Sequence, residues 1–60
     1  MAQRLVEQYQ INDVVEIELR EDVWVTAVVV KHQHPGIWVQ TSTGHQWFIT
    51  NTRRIRPHLG

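Results

Sequence analysis

Val23-Trp24-Val25-Thr26-Ala27-Val28-Val29-Val30-Lys31-His32 is the longest β-branched stretch of the chain. Branching at Cβ costs valine and threonine rotamer freedom in a helix and suits them to a pleated, half-buried surface. The stretch predicts a long, bent strand with Val23, Val25, Ala27 and Val29 on its inner face. Ala27 is the small residue where a tight barrel needs two backbones close together.

The period of two continues on both sides of this strand. Before it, Val15, Ile17 and Leu19 alternate with Glu16, Glu18 and Arg20, giving one buried face and one wet face. Asn12-Asp13 and Glu21-Asp22 supply turn chemistry at its two ends. After the long strand, His34-Pro35-Gly36 predicts a turn in which proline fixes φ and glycine supplies a positive φ. A third strand follows over Ile37–Thr41, with Ile37 and Val39 on one face and Trp38 and Gln40 on the other. Ser42-Thr43-Gly44 reads as a hairpin loop. In a fourth strand, His45 to Thr50, Trp47 and Ile49 oppose Gln46 and Phe48, and Trp47 is expected in the core. Asn51-Thr52-Arg53 predicts a turn or one turn of 3₁₀ helix. Ile55 closes the structure from a brief last strand, which Pro57 ends.

Short strands at regular spacing with turn signals between them predict an all-β fold, a small five-stranded barrel over residues 11–60. Leu5, Val6 and Tyr9 have helical spacing, but ten residues rarely hold a helix alone. Residues 1–10 are therefore expected to form a flexible N-terminal arm, or a segment that orders against a partner.

With 60 residues, the chain makes one domain, and one this small buries only about 60% of the surface its unfolded form exposes. Such domains draw added stability from staples or partners. Cysteine is absent, which excludes disulfides and thiolate sites and makes a reducing cytoplasm the expected compartment. The longest apolar run, Ala27-Val28-Val29-Val30, is too short to span a membrane. Met1 to Gln10 lacks an apolar core segment and is not expected to be a signal peptide. Oligomerisation or partner binding remains as the added source of stability.

The net charge is zero, but it is divided along the chain. Residues 1–22 carry two basic and six acidic side chains, and residues 23–60 carry Lys31, Arg53, Arg54 and Arg56 with no acid. A bipolar surface of this kind suits head-to-tail self-association, or a basic patch that meets an anionic partner.

In series, these segments resemble Tudor and agenet domains, which are SH3-like barrels. Asn12-Asp13-Val14-Val15-Glu16-Ile17 is similar to their opening Gly-Asp-x-Val-Glu-Val, with Asn12 in the place of the glycine. Asp22-Val23-Trp24-Val25-Thr26-Ala27-Val28-Val29 resembles their second strand. Gly36-Ile37-Trp38-Val39 and Gly44-His45-Gln46-Trp47-Phe48-Ile49 resemble the third and fourth. Arg54-Ile55-Arg56-Pro57 resembles the closing Arg-Ile/Leu-Arg-Pro. The resemblance covers about residues 12–57 and implies a binding function. The ligand is a methylated tail held in an aromatic cage in Tudor domains, and nucleic acid or protein in KOW-type barrels. Trp24, Trp38 and Phe48, with Asp22 as the acid, are the residues a cage would use. Gln46-Trp47-Phe48 also stands where plasmid-type dihydrofolate reductases, another group of short SH3-like barrels, carry Gln-Ile-Tyr. Trp47 is much bulkier than that isoleucine.

The residues themselves point to binding rather than catalysis. Arg53, Arg54, Arg56 and Lys31, with His45, offer cations for phosphates, and Trp24, Trp38 and Phe48 offer stacking surfaces, a combination suited to single-stranded nucleic acid. The alternative is a protein-interaction or homo-oligomerisation module, in which the tryptophans and the acidic strand at Glu16 and Glu18 meet a partner or a second copy. His32, His34, His45 and His58 lack a companion cysteine or acid in metal-ligand spacing, so no metal is expected. Glu16 and Glu18 read as the wet face of a strand rather than an acid–base pair. The sequence contains no glycine-rich phosphate loop and no nucleophile with a matched base, and neither enzymatic activity nor a cofactor is expected.

Overall fold

The computed structural model describes residues 5–58. After one helical turn at Leu5–Gln8 come strands β1 (Val14–Arg20), β2 (Val23–Gln33), β3 (Gly36–Thr41) and β4 (Gln46–Ile49). A 3₁₀ turn at Thr52–Arg54 then leads into β5 (Ile55–Pro57). The strands form one antiparallel sheet in the order β4-β3-β2-β1-β5. β5 therefore returns to pair with β1, and β4 and β5 are the two edges.

The inner face follows the alternation of the sequence. Val15 lies opposite Ala27, Ile17 opposite both Val25 and Ile55, Val29 opposite Val39, and Ile37 opposite Ile49. All of these except Val25, which packs against them half-buried, belong to the core. The register of β2 slips between Val29 and Lys31. Such a bulge turns the following residues over, so Lys31 pairs with Trp38 on the outer face while His32 pairs with Ile37.

Three inward expectations fail at the strand ends. Trp47 shares a face with Ile49 yet is 43% exposed, and Leu19 (38%) and Val23 (37%) are also open to solvent. Leu19 and Val23 lie beyond the buried Ile17 at the β1–β2 turn, and Trp47, although opposite the buried Val39, stands on the edge strand β4, so alternation gives the face but not the depth. The turn glycine differs as well. The left-handed glycine is Gly44 (φ 89°) in the β3–β4 hairpin, where its N–H donates to the Thr41 carbonyl at 2.9 Å. Gly36 is required for a different reason: a Cβ there would collide with the Ile49 carbonyl oxygen. Asn12 (φ 80°) and Asp22 (φ 60°) adopt left-handed turn conformations, which suits their short polar side chains.

Of the expected N-terminal arm, residues 1–4 lie outside the described residues. Further along, Tyr9 is buried in the domain's own core, and that burial raises the pKa of its hydroxyl. Its carbonyl accepts a hydrogen bond from His32 Nε2 at 2.8 Å. Gln10 and Asp13 close the next turn, where the Gln10 N–H donates to Asp13 Oδ2 at 2.9 Å. The chain is thus seated on the sheet from Tyr9 onward. Among the described residues no helix is long and apolar enough to cross a membrane.

Candidate binding face

The outer face of the sheet carries two aromatic clusters at opposite ends of β2. At the first end, Glu16 faces Arg56 across β1 and β5. Arg56 Nε donates to Glu16 Oε1 at 2.7 Å, and the guanidinium carbon lies 4.0 Å from the centroid of the Trp24 ring. His58 Nδ1 stands 3.4 Å from the other Glu16 oxygen. The Arg56 hydrogen bond is the main cause holding the Glu16 carboxyl below its ordinary pKa. Trp24 is half-buried beneath these groups.

At the other end, Lys31, Trp38 and Phe48 form a row across β2, β3 and β4. Thr41 N–H donates to the His45 carbonyl at 2.9 Å, which fixes the phase of the β3–β4 ladder. Hydrogen-bonded and non-hydrogen-bonded pairs alternate in an antiparallel ladder, and side chains approach more closely in the latter. Trp38 and Phe48 are a non-hydrogen-bonded pair, and their ring centroids lie 5.1 Å apart at an interplanar angle of 36°. Trp38 Nε1 is satisfied by Gln33 Oε1 at 3.0 Å, so the indole is held in place. Phe48 remains 38% exposed and Lys31 is exposed.

The other expected site residues are dispersed. Arg53 and Arg54 are exposed on the 3₁₀ turn, whose start is capped by Asn51 Oδ1 accepting from Arg53 N–H at 2.9 Å. Arg54 lines a cleft of 330 Å³ between β1 and β4, together with Leu19, Trp47, Phe48 and Asn51. His45 stands in the β3–β4 hairpin and lines the inner mouth with Leu19, Val25 and Trp47, away from the Trp38–Phe48 row. Among the described residues the ion pairs are those of Glu16 with Arg56 and His58, so Lys31, Arg53 and Arg54 have no acidic partner there. Also among the described residues, no three His, Cys, Asp or Glu side chains gather to hold a metal ion.

The cleft was not anticipated from the sequence. Its Leu19 and Trp47 sit at inward positions of the alternation, and its opening depends on β5 stopping at Ile55 while β1 runs on to Arg20. No local signal marks that mismatch in length. Comparisons of the chain with protein-family models, curated proteins and solved structures find no match.

Proposed function

We propose that this domain is a non-enzymatic binding module of the SH3-like barrel class. The meander of four strands, the 3₁₀ turn and the return of β5 to β1 support that architecture. Within the class, we read it as a binder of single-stranded nucleic acid in a cytoplasmic setting, the compartment that a cysteine-free chain favours.

One observation carries the ligand reading: the row Lys31–Trp38–Phe48, in which a cation with no acidic partner among the described residues flanks two adjacent exposed or half-exposed rings. Bases stack on such rings irrespective of sequence, and cations beside them neutralise the backbone. Arg54, beyond Phe48 on the cleft side, and Arg53 next to it extend the cationic border. Arg56 and Trp24 do not contribute to it, because Arg56 lies over the Trp24 ring and is paired with Glu16.

The test is quenching of tryptophan fluorescence by a single-stranded oligonucleotide at low salt. Three phosphate contacts from Lys31, Arg53 and Arg54 give a slope of log K against log salt of about −2. Absence of quenching at low salt overturns the reading.

A further inference from the structure

We infer that the bound strand does not stop at Phe48 but turns over the edge of β4 into the cleft, where Trp47 stacks a further base and Arg54 holds the phosphate at the bend. The inference rests on the nucleic-acid reading above and adds a second half to the same site.

The edge gives the first support. Successive side chains of a strand point to opposite faces. Phe48 therefore stands on the outer face beside Trp38, and Trp47 on the inner face with Ile49. Within a sheet, neighbouring strands keep two such faces apart. β4 is an edge, so only the width of one strand separates a base on Phe48 from a base on Trp47. Both rings are open to solvent, Phe48 at 38% and Trp47 at 43%.

The space beside that edge gives the second. The cleft of 330 Å³ has Trp47 and Phe48 on one wall and Ile17 and Leu19 of β1 on the other. A hollow of 210 Å³ continues it, since Leu19 and Trp47 line both, and His45 lines the hollow. Sites that bury a small organic ligand measure about 300–1,000 Å³ and combine apolar walls with a few polar groups. This space also gives a reason for an inward tryptophan that the core does not cover.

Charge identifies the occupant. Arg54 lines the cleft and has no acidic partner among the described residues. Glu18 is the acid of the cleft, and its Oε2 accepts from the Asp22 N–H at 3.1 Å, which ties that carboxylate to the β1–β2 turn. The cleft thus favours an occupant with a flat apolar part for Trp47 and Leu19 and an anion for Arg54. A nucleotide has both, and a guanidinium takes phosphate oxygens in a two-pronged hydrogen bond. Phe48 belongs to the outer row and also lines the cleft, so one strand reaches both without a gap. Small OB-type barrels that bind single strands cover about 4–16 nucleotides, more than the two outer rings can stack.

Single-tryptophan variants test the path, because the chain has three tryptophans. Trp24→Phe with Trp38→Phe leaves Trp47 to report and keeps a stacking ring at position 38. Trp24→Phe with Trp47→Phe leaves Trp38. An oligothymidylate of about eight nucleotides, added at low salt, should quench both variants with similar midpoints. Arg54→Gln in the Trp47-reporting background should make the slope of log K against log salt shallower by about 0.7, one phosphate contact. Quenching of Trp38 without quenching of Trp47 overturns the inference and keeps the stacking reading. Quenching of Trp47 alone keeps the cleft as a nucleotide site and removes the outer row. No quenching of either removes the nucleic-acid reading and the inference with it. An unchanged salt slope overturns the phosphate contact of Arg54. If a variant does not fold, photocrosslinking of a strand carrying 5-iodouracil to the unaltered chain decides. Adducts are then expected on Trp47 as well as on Trp38 or Phe48, and their absence from Trp47 overturns the inference.

Discussion

Trp24 and Trp38 stand on the same outer face at opposite ends of β2, and their surroundings differ. Trp24 lies under Arg56, which Glu16 holds from the next strand, and His58 adds a second contact to that carboxylate. Trp38 lies beside Phe48 and Lys31 with no acid among its partners. The first cluster pairs its cation with an acid on the neighbouring strand. The second also sets a cation beside aromatic rings but has no paired acid among the described residues. An aromatic beside a cation is therefore a poor guide to a binding site until the acids nearby have been counted. Here, pairing Glu16 with Arg56 is what divides the face into a closed end and an open one.

The two ends also differ in how they are held, and Gly36 offers the largest expected effect. The open end depends on a backbone approach, since Gly36 of β3 passes so close to the Ile49 carbonyl that no Cβ fits. Backbone atoms cannot yield as a flexible side chain does. Gly36→Ala should destabilise the domain by about 3 kcal/mol, the upper end of the usual cost of overpacking. It should also loosen Phe48 against Trp38. Urea unfolding measures the first effect, and near-ultraviolet circular dichroism reports the second. A variant as stable as the parent would show that β3 and β4 have slack at this point.

Next in size is the contrast between the two tryptophans as ligand surfaces. Stacking a base on an aromatic ring is worth about 1–3 kcal/mol by alanine substitution. Trp38→Ala should therefore weaken oligonucleotide binding roughly 5- to 150-fold. Trp24→Ala should leave that affinity within about twofold and cost stability instead, on the order of 0.5–1 kcal/mol for an exposed cation–π contact. Fluorescence of the remaining tryptophans, or anisotropy of a labelled oligonucleotide, reads both. Equal losses from the two substitutions would erase the distinction between the ends.

Much of this arrangement is legible in the sequence, and the parts that are not share a cause. Val15 and Ile17, Ala27 and Val29, and Ile37 and Val39 are core residues that the period of two places on the correct face. The row of Trp38 and Phe48 follows from the same pattern, given the hairpin at Ser42-Thr43-Gly44. What the pattern lacks is register between distant segments. Glu16 and Arg56 are 40 residues apart, and neither carries a local sign of the other. The slip between Val29 and Lys31 inserts one residue, and composition does not distinguish a bulged valine from a paired one. Tyr9 enters the core through a tertiary contact that its neighbours do not announce. Trp47 shows the converse limit, a residue on the inward face that stays exposed because its strand is a sheet edge beside the cleft.

The smallest effect concerns the closed end and its acid. Arg56 holds the Glu16 carboxyl below its ordinary value of 4.5, first by the hydrogen bond and then by charge, with His58 adding to both. A carboxyl whose pKa is depressed in the folded state binds its proton less readily there than in the unfolded chain. It therefore contributes stability at pH above the unfolded value, and that contribution disappears as pH falls through the folded one. Glu16→Gln removes this titration while keeping the size of the side chain and an acceptor for Arg56. Melting temperatures measured from pH 6 to pH 3 should fall more steeply for the parent than for Glu16→Gln, the two curves converging at the acid end. The difference should be small, because the pair is open to solvent and exposed ion pairs contribute little. Parallel curves would mean that Arg56 lies over Trp24 without help from Glu16. The closed end would then be held by the ring alone, and Arg56 would be as available to phosphates as Lys31 is at the other end.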